Sequence, residues 1–237
     1  MLKQIAAGLT LAMTVAGGPV GVAPRQAPPP VVLRVLPLGD SITRGDVAGG
    51  WRPVLAGRLD AAGARVVFVG SMSSAGLAHE GHGGWRIDQL AAVAAARVRE
   101  YAPDVVLLMA GTNDLVQRRW AGMAGRLETL VRQVQAARPG VRVLLASVPQ
   151  MRPRSAGLAA AWNAYRSAVP AVAARTGATW VRGDLVRYPT DLVSDGVHPS
   201  RCGYARLGWL WWHGWVRAVP APAGRPWRVG PLPALCP

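Results

Sequence analysis

A chain of 237 residues, 51% hydrophobic and with a net charge of +15, is long enough for one α/β domain with a full core and too apolar for wholesale disorder. The charge invites a nucleic acid or an anionic membrane surface as partner. Lys3 is the only lysine, however, and the arginines are scattered without the basic stripe or RNA-binding signature that such a footprint needs. A specific nucleic-acid binder is therefore excluded, and only a weak draw to acidic polymers remains.

In chain order, residues 1–27 read as an export signal: Lys3 gives a positive start, residues 5–16 are mostly apolar, and Gly21-Val22-Ala23 offers a cleavage site. The apolar run is interrupted by glycine and too short to span a bilayer. The expectation is a secreted, extracellular protein with no membrane attachment after signal removal. Pro28-Pro29-Pro30 makes a stiff spacer.

Residues 31–38 form an apolar run ending in Gly39-Asp40-Ser41, the pattern of a buried strand feeding a loop. A helix is predicted over 51–62, stopped by Gly63, and a strand over 66–69. Residues 70–85, rich in Gly, Ser and His, read as a long loop, and such loops are often functional. Ile87–Tyr101 is predicted helical, with Leu90, Val93 and Val98 on one side. Residues 104–110 are a nearly continuous apolar strand that ends directly in Gly111-Thr112-Asn113-Asp114. Met123, Leu127, Leu130, Val131 and Val134 recur at helical spacing. A strand over 141–147, a helix over 156–175 and a short strand Thr179–Val181 follow. The last helix starts near Ser200 and carries Trp209, Trp212 and Trp215, and a Pro-rich tail occupies 218–237.

Alternating strands and helices predict a three-layer α/β/α sandwich with a central parallel sheet of about five strands, its domain covering residues 28–217. No repeat at a period of about 20 to 50 residues suggests an array. Right-handed crossovers put every strand's C-terminal end on one rim. Of the two cysteines, Cys202 and Cys236, the even count favours a disulfide pinning the tail if the chain is exported; two thiols in a reducing compartment is the alternative. No metal ligand set is visible, and the chemistry below needs no cofactor.

Three blocks fit together as a serine-hydrolase site: Gly39-Asp40-Ser41-Ile42, Gly111-Thr112-Asn113-Asp114 and Asp195-Gly196-Val197-His198-Pro199. Ser41 is the predicted nucleophile, and a serine hydroxyl needs a base within reach. His198 is that base, with Asp195 orienting its ring and stabilising the imidazolium. The Ser41 N–H, a glycine N–H and the Asn113 amide are the predicted oxyanion donors. Asp40 and Asp114 are expected to bond nearby backbone amides.

On these blocks the chain resembles the SGNH (GDSL-type) hydrolase superfamily, whose flavodoxin-like fold and acyl-enzyme chemistry are thereby implied. The resemblance runs over residues 31–216. Its glycine block matches Glu80-Gly81-His82-Gly83-Gly84-Trp85, which assigns the oxyanion glycine to Gly81, with Gly83 or Gly84 as alternatives. Within the superfamily the chain is similar to carbohydrate esterase family 3, the acetylxylan esterase-like group. The stretches that carry this are Leu36-Pro37-Leu38-Gly39-Asp40-Ser41-Ile42-Thr43, Gly49-Gly50-Trp51-Arg52, Phe68-Val69-Gly70-Ser71 and Asp195-Gly196-Val197-His198-Pro199 with Gly203-Tyr204.

That likeness implies deacetylation of plant polysaccharide, although the superfamily also holds lipases, thioesterases and arylesterases; separately, a monomer is expected. A lipid or thioester hydrolase would want a broad apolar cleft, and a non-catalytic carbohydrate-binding protein would have lost Ser41 or His198. Trp51 and Trp85 are expected in loops near the site, where an exposed indole would stack on a sugar ring and a buried one would support its loop. Arg52 and His82 are further candidates to line the site, with structural and solvent-exposed roles as their alternatives; His79 is a loop histidine. The Trp209-Leu210-Trp211-Trp212 cluster reads as helix-to-core packing.

Overall fold

The computed structural model describes residues 32–45, 49–222 and 225–231. The expected export signal, the triple-proline spacer and Cys236 lie outside the described residues, so the expected signal cleavage and the Cys202–Cys236 pairing are not addressed by the structure.

The first strand, β1 (Leu33–Gly39), leads into a single helical turn, α1 (Ser41–Arg44), and then α2 (Arg52–Ala61) and β2 (Val66–Phe68). Next come β3 (Met72–Ser74), β4 (Leu77–Gly81), α3 (Ile87–Tyr101), β5 (Val105–Met109) and a short α4 (Thr112–Val116). The remainder is α5 (Met123–Ala137), β6 (Arg142–Ala146), α6 (Ala156–Thr176), β7 (Thr179–Val181) and α7 (Arg201–Ala218).

The parallel sheet runs β2-β1-β5-β6-β7. Helices α2 and α7 pack together, as do α3, α5 and α6 in sequence. This is the three-layer sandwich expected from the alternation of strands and helices. Both faces of the sheet are covered, which is why Val105, Val106, Leu107, Leu108 and Met109 are all fully buried and read as one unbroken apolar run. In α5 the helical spacing of Met123, Leu127, Leu130, Val131 and Val134 places every one of them in the core. In α3 the core face is Ile87, Leu90, Ala94 and Val98; Val93 is only partly buried, one position off the predicted stripe.

The segment 70–85 is not the open loop its composition suggested. Met72–Ser74 and Leu77–Gly81 form an antiparallel hairpin, closed by Ala75 and Gly76 with φ of 50° and 72°. Two successive positive φ values are the primed turn that matches strand twist. β4 then adds beside the end of β1, pairing Leu38 with Glu80 and Gly39 with Gly81, while β2 takes the start of the same edge. Short strands rich in Gly, Ser and His lack the alternation that betrays a strand, and pairing with β1 supplies what propensity does not.

The sheet order doubles back between β1 and β5, and such a switch point leaves a crevice beyond the carboxyl ends of the two strands. Gly39 must be glycine there: a Cβ would stand 2.3 Å from both the Met109 carbonyl and the Thr43 hydroxyl. At the far end the described tail rests on α7 and α2. Trp209 Nε1 donates to the Gly230 carbonyl at 2.8 Å, Trp212 Nε1 to Arg228 at 3.1 Å and Trp227 Nε1 to Val219 at 2.7 Å. Trp211 and Trp215 point into the core.

Candidate active site

β1 ends at Gly39, and Asp40 caps the turn that follows, its Oδ1 accepting the Ile42 N–H at 2.9 Å. Ser41 is therefore the first residue of α1, where its own N–H has no intrahelical acceptor. Asp40 is fully buried, and that burial pushes its carboxyl up to about 6 against the pull of the Ile42 amide and the Thr112 hydroxyl.

Ser41 Oγ lies 2.9 Å from His198 Nε2, and His198 Nδ1 lies 2.6 Å from Asp195 Oδ2. The other carboxylate oxygen, Asp195 Oδ1, accepts the N–H groups of Val197 at 2.8 Å and His198 at 3.0 Å. One aspartate thus shapes the turn and orients the ring together, which is the physical content of the Asp-x-x-His spacing. Partial burial raises the Asp195 carboxyl, but its bonds from the His198 ring and the two amides outweigh that and hold it below the usual carboxylate range. An ionised Asp195 accepts the hydrogen bond from Nδ1–H, which fixes the tautomer and leaves the Nε2 lone pair for the serine O–H.

Asn113 is the second residue of α4, which starts from Gly111. Gly111 has φ of 116°, and a Cβ on it would meet the Tyr165 ring at 2.6 Å, so only glycine can launch this turn. Asn113 Nδ2 gives one hydrogen to the Trp85 carbonyl at 2.9 Å; the amide carries a second. Asp114 anchors the turn from below, accepting the Ile87 N–H at 2.8 Å and pairing with Arg126 at 2.8 Å. Asp40 thus bonds the nearby amide expected of it, whereas Asp114 bonds an amide distant in sequence and an arginine.

Gly81 does not meet its expectation either. Its N–H donates to His79 Nδ1 at 3.0 Å, so the oxyanion donor assigned to it is engaged elsewhere in this structure. Its glycine character serves close packing: a Cβ would lie 2.3 Å from the Arg44 amide nitrogen. His79 accepts that bond as a neutral ring, because burial, and then the Arg52 charge, bring its pKa down to about 4. Its Nε2 faces Ser74 Oγ at 3.2 Å. Of the expected donors, the Ser41 N–H at the start of α1 and the second hydrogen of the Asn113 amide are left. Gly83 and Gly84, the alternatives, are exposed.

Of the four candidate substrate-binding residues, two stand beside the site. His82 stacks on Trp85 with ring centroids 3.9 Å apart, and its Nε2 is 2.9 Å from Oε2 of the buried Glu80. Through the Trp85 carbonyl this ridge is joined to Asn113.

Trp51 and Arg52 are corrected to structural roles. Trp51 is fully buried, its ring 5.0 Å from that of Trp211. Arg52 is likewise buried, and its guanidinium donates to the Thr43 and Arg44 carbonyls and to Ser74 Oγ. A cation on the last carbonyls of α1 complements that helix end and ties the nucleophile's turn to the hairpin. Burial lowers the Arg52 pKa to about 10.

Arg154, which nothing in the sequence singles out, donates to the Asp195 carbonyl at 2.6 Å. The Arg152 N–H donates to the Gly196 carbonyl at 2.8 Å.

The family model of the GDSL-like lipase/acylhydrolases matches residues 38–206. The chain belongs to that family. A multidomain esterase of Ruminococcus flavefaciens is 27% identical over 224 residues, which is 80% of this chain and 29% of that protein. The chain thus spans under a third of the length of that curated relative. Among solved structures, a family 3 carbohydrate esterase of Clostridium thermocellum is 27% identical with a TM-score of 0.68, covering 79% of this chain and 96% of that one. One from Talaromyces cellulolyticus is 27% identical with a TM-score of 0.63, covering 75% and 93%. These relatives are esterases, and the two solved structures among them are carbohydrate esterases.

Proposed function

We propose that this protein is a secreted esterase that removes acetyl groups from a plant polysaccharide of the acetylxylan kind. One observation carries the substrate class. The His198 and Asp195 side chains are 39% and 45% exposed, so the base side of the site is open to solvent, as a site acting on a polymer must be. The likeness to family 3 carbohydrate esterases over nearly their whole length supports it. The apolar run after Lys3 supports export.

In this reading Ser41 Oγ bonds to the acetyl carbonyl carbon while its proton passes to His198 Nε2. The carbonyl π pair moves onto oxygen, held by the Ser41 N–H and the Asn113 amide. As the intermediate collapses, the sugar C–O bond breaks and His198 returns the proton to the leaving oxygen. Water then attacks the acetyl-serine, with His198 again taking and giving the proton, and acetate leaves. The test is acetate release from acetylated xylan by the full chain, with Ser41→Ala as blank. Serine-dependent release is expected. If xylan stays acetylated while 4-nitrophenyl acetate is cleaved, the carbohydrate reading falls and the esterase stands.

A further inference from the structure

Beside the catalytic line, α4, the turn after it and the segment 151–158 enclose a cavity of about 200 Å³. Its apolar walls include Val116, Trp120 and Val197, and Arg118, Arg152 and Arg154 also line it. Val197 adjoins His198, while the Arg154 guanidinium donates to the Asp195 carbonyl and the Arg152 main-chain N–H to that of Gly196. The cavity thus shares a wall with the loop that carries the base. His198 gives its proton to the leaving oxygen, so a cavity on that side receives the alcohol half of the ester.

Some arginines elsewhere are neutralised by a carboxylate, while others, Arg99 and Arg142 among them, have no carboxylate partner among the described residues. Arg126, Arg138, Arg182 and Arg206 each lie within 4 Å of a carboxylate. Among the described residues no carboxylate pairs with Arg118, Arg152 or Arg154; Arg152 Nε rests on the Tyr188 hydroxyl at 3.0 Å. Arg118 moreover has φ of 58° at the close of α4, where the Arg119 N–H donates to the Asp114 carbonyl at 2.8 Å. Glycine is the usual occupant of such a left-handed closing position, so an arginine there is held against a backbone preference.

We propose that this cavity takes an acidic sugar, a uronate unit next to the scissile ester. Guanidinium groups match a carboxylate in shape and charge, and the apolar walls suit the C–H face of a pyranose ring. The chain's +15 charge draws the same polymer at long range. The inference rests on the carbohydrate-ester reading and names which carbohydrate.

The experiment compares kcat/KM on acetylated glucuronoxylan with that on the same polymer after its uronates are reduced to neutral sugars. The wild-type chain is expected to prefer the acidic polymer roughly three- to tenfold at low salt, the range that two exposed ion pairs supply. Added salt should shrink that preference, and an Arg118→Gln/Arg152→Gln double variant should lose it. Both side chains are exposed, so the variant should fold; inhibition of the wild-type chain by free glucuronate but not glucose checks the same point without a substitution. Equal kcat/KM on the two polymers, or a preference that survives in the double variant, overturns the proposal. If neither polymer is deacetylated while 4-nitrophenyl acetate is cleaved through Ser41, the carbohydrate reading has failed, and this inference fails with it.

Discussion

Asp40 and Asp195 each stand next to a reacting residue, yet Asp40 is fully buried while Asp195 keeps 45% of its side chain exposed. Asp40 belongs to the sheet: it caps the turn at the end of β1, and its setting is decided by strands and helices distant in sequence. Asp195 belongs to its own loop, where two neighbouring amides and the His198 ring satisfy it within three residues. The nucleophile is thus placed by the whole fold and the base by local hydrogen bonds. Changes on the two sides should therefore fail differently: losses on the base side should show in turnover, and losses on the nucleophile side should show in stability as well.

The largest expected effect is on the base side. Asp195→Asn presents an amide N–H to His198 Nδ1 and so favours the wrong tautomer; kcat should fall about 10²–10⁴-fold, with the melting temperature little changed. A large drop in melting temperature would mean that the loop is not locally self-sufficient. On the nucleophile side, Trp51→Ala empties a fully buried site and should cost about 3–5 kcal/mol of stability, read by denaturant unfolding. A raised KM with unchanged stability would return Trp51 to the substrate. Asn113→Ala should lower kcat about 10²–10³-fold, and a smaller effect would show that the Ser41 N–H holds the oxyanion without it.

The smallest effect concerns pH. The folded chain keeps the Asp40 proton up to about pH 6, while the reference value is 3.8. The native state therefore binds more protons across that window, and stability falls as pH rises through it, by roughly 3 kcal/mol in all. Asp40→Asn keeps the acceptor for Ile42 and removes the buried charge. The difference in stability between variant and wild type should grow from pH 4 to pH 7 and then level off. A difference that stays constant would show that Asp40 is not titrating there.

Legibility in the sequence followed how local each cause is. Long elements with apolar runs or helical spacing were readable, because burial on a covered sheet or on one helix face leaves a period in the chain: β5, α5 and the helix Ile87–Tyr101 are cases. α1 and α4 were not readable, since a single turn has no period, although their residues were found through their chemistry. The hairpin at Met72–Ser74 and Leu77–Gly81 was hidden because its pairing energy comes from β1, some forty residues earlier.

The sequence by itself determined the candidate site. Ser41, Asn113, Asp195 and His198 announce it by residue type and order, and the Asp-x-x-His loop builds its own geometry from adjacent residues. Only the tertiary structure decided the surroundings. It buried Trp51 against Trp211, turned Arg52 onto the carbonyls of α1, engaged the Gly81 amide with His79, and gathered Arg118, Arg152 and Arg154 beside the base. Each of these depends on which distant segment fills the neighbouring space, and residue type alone does not encode that.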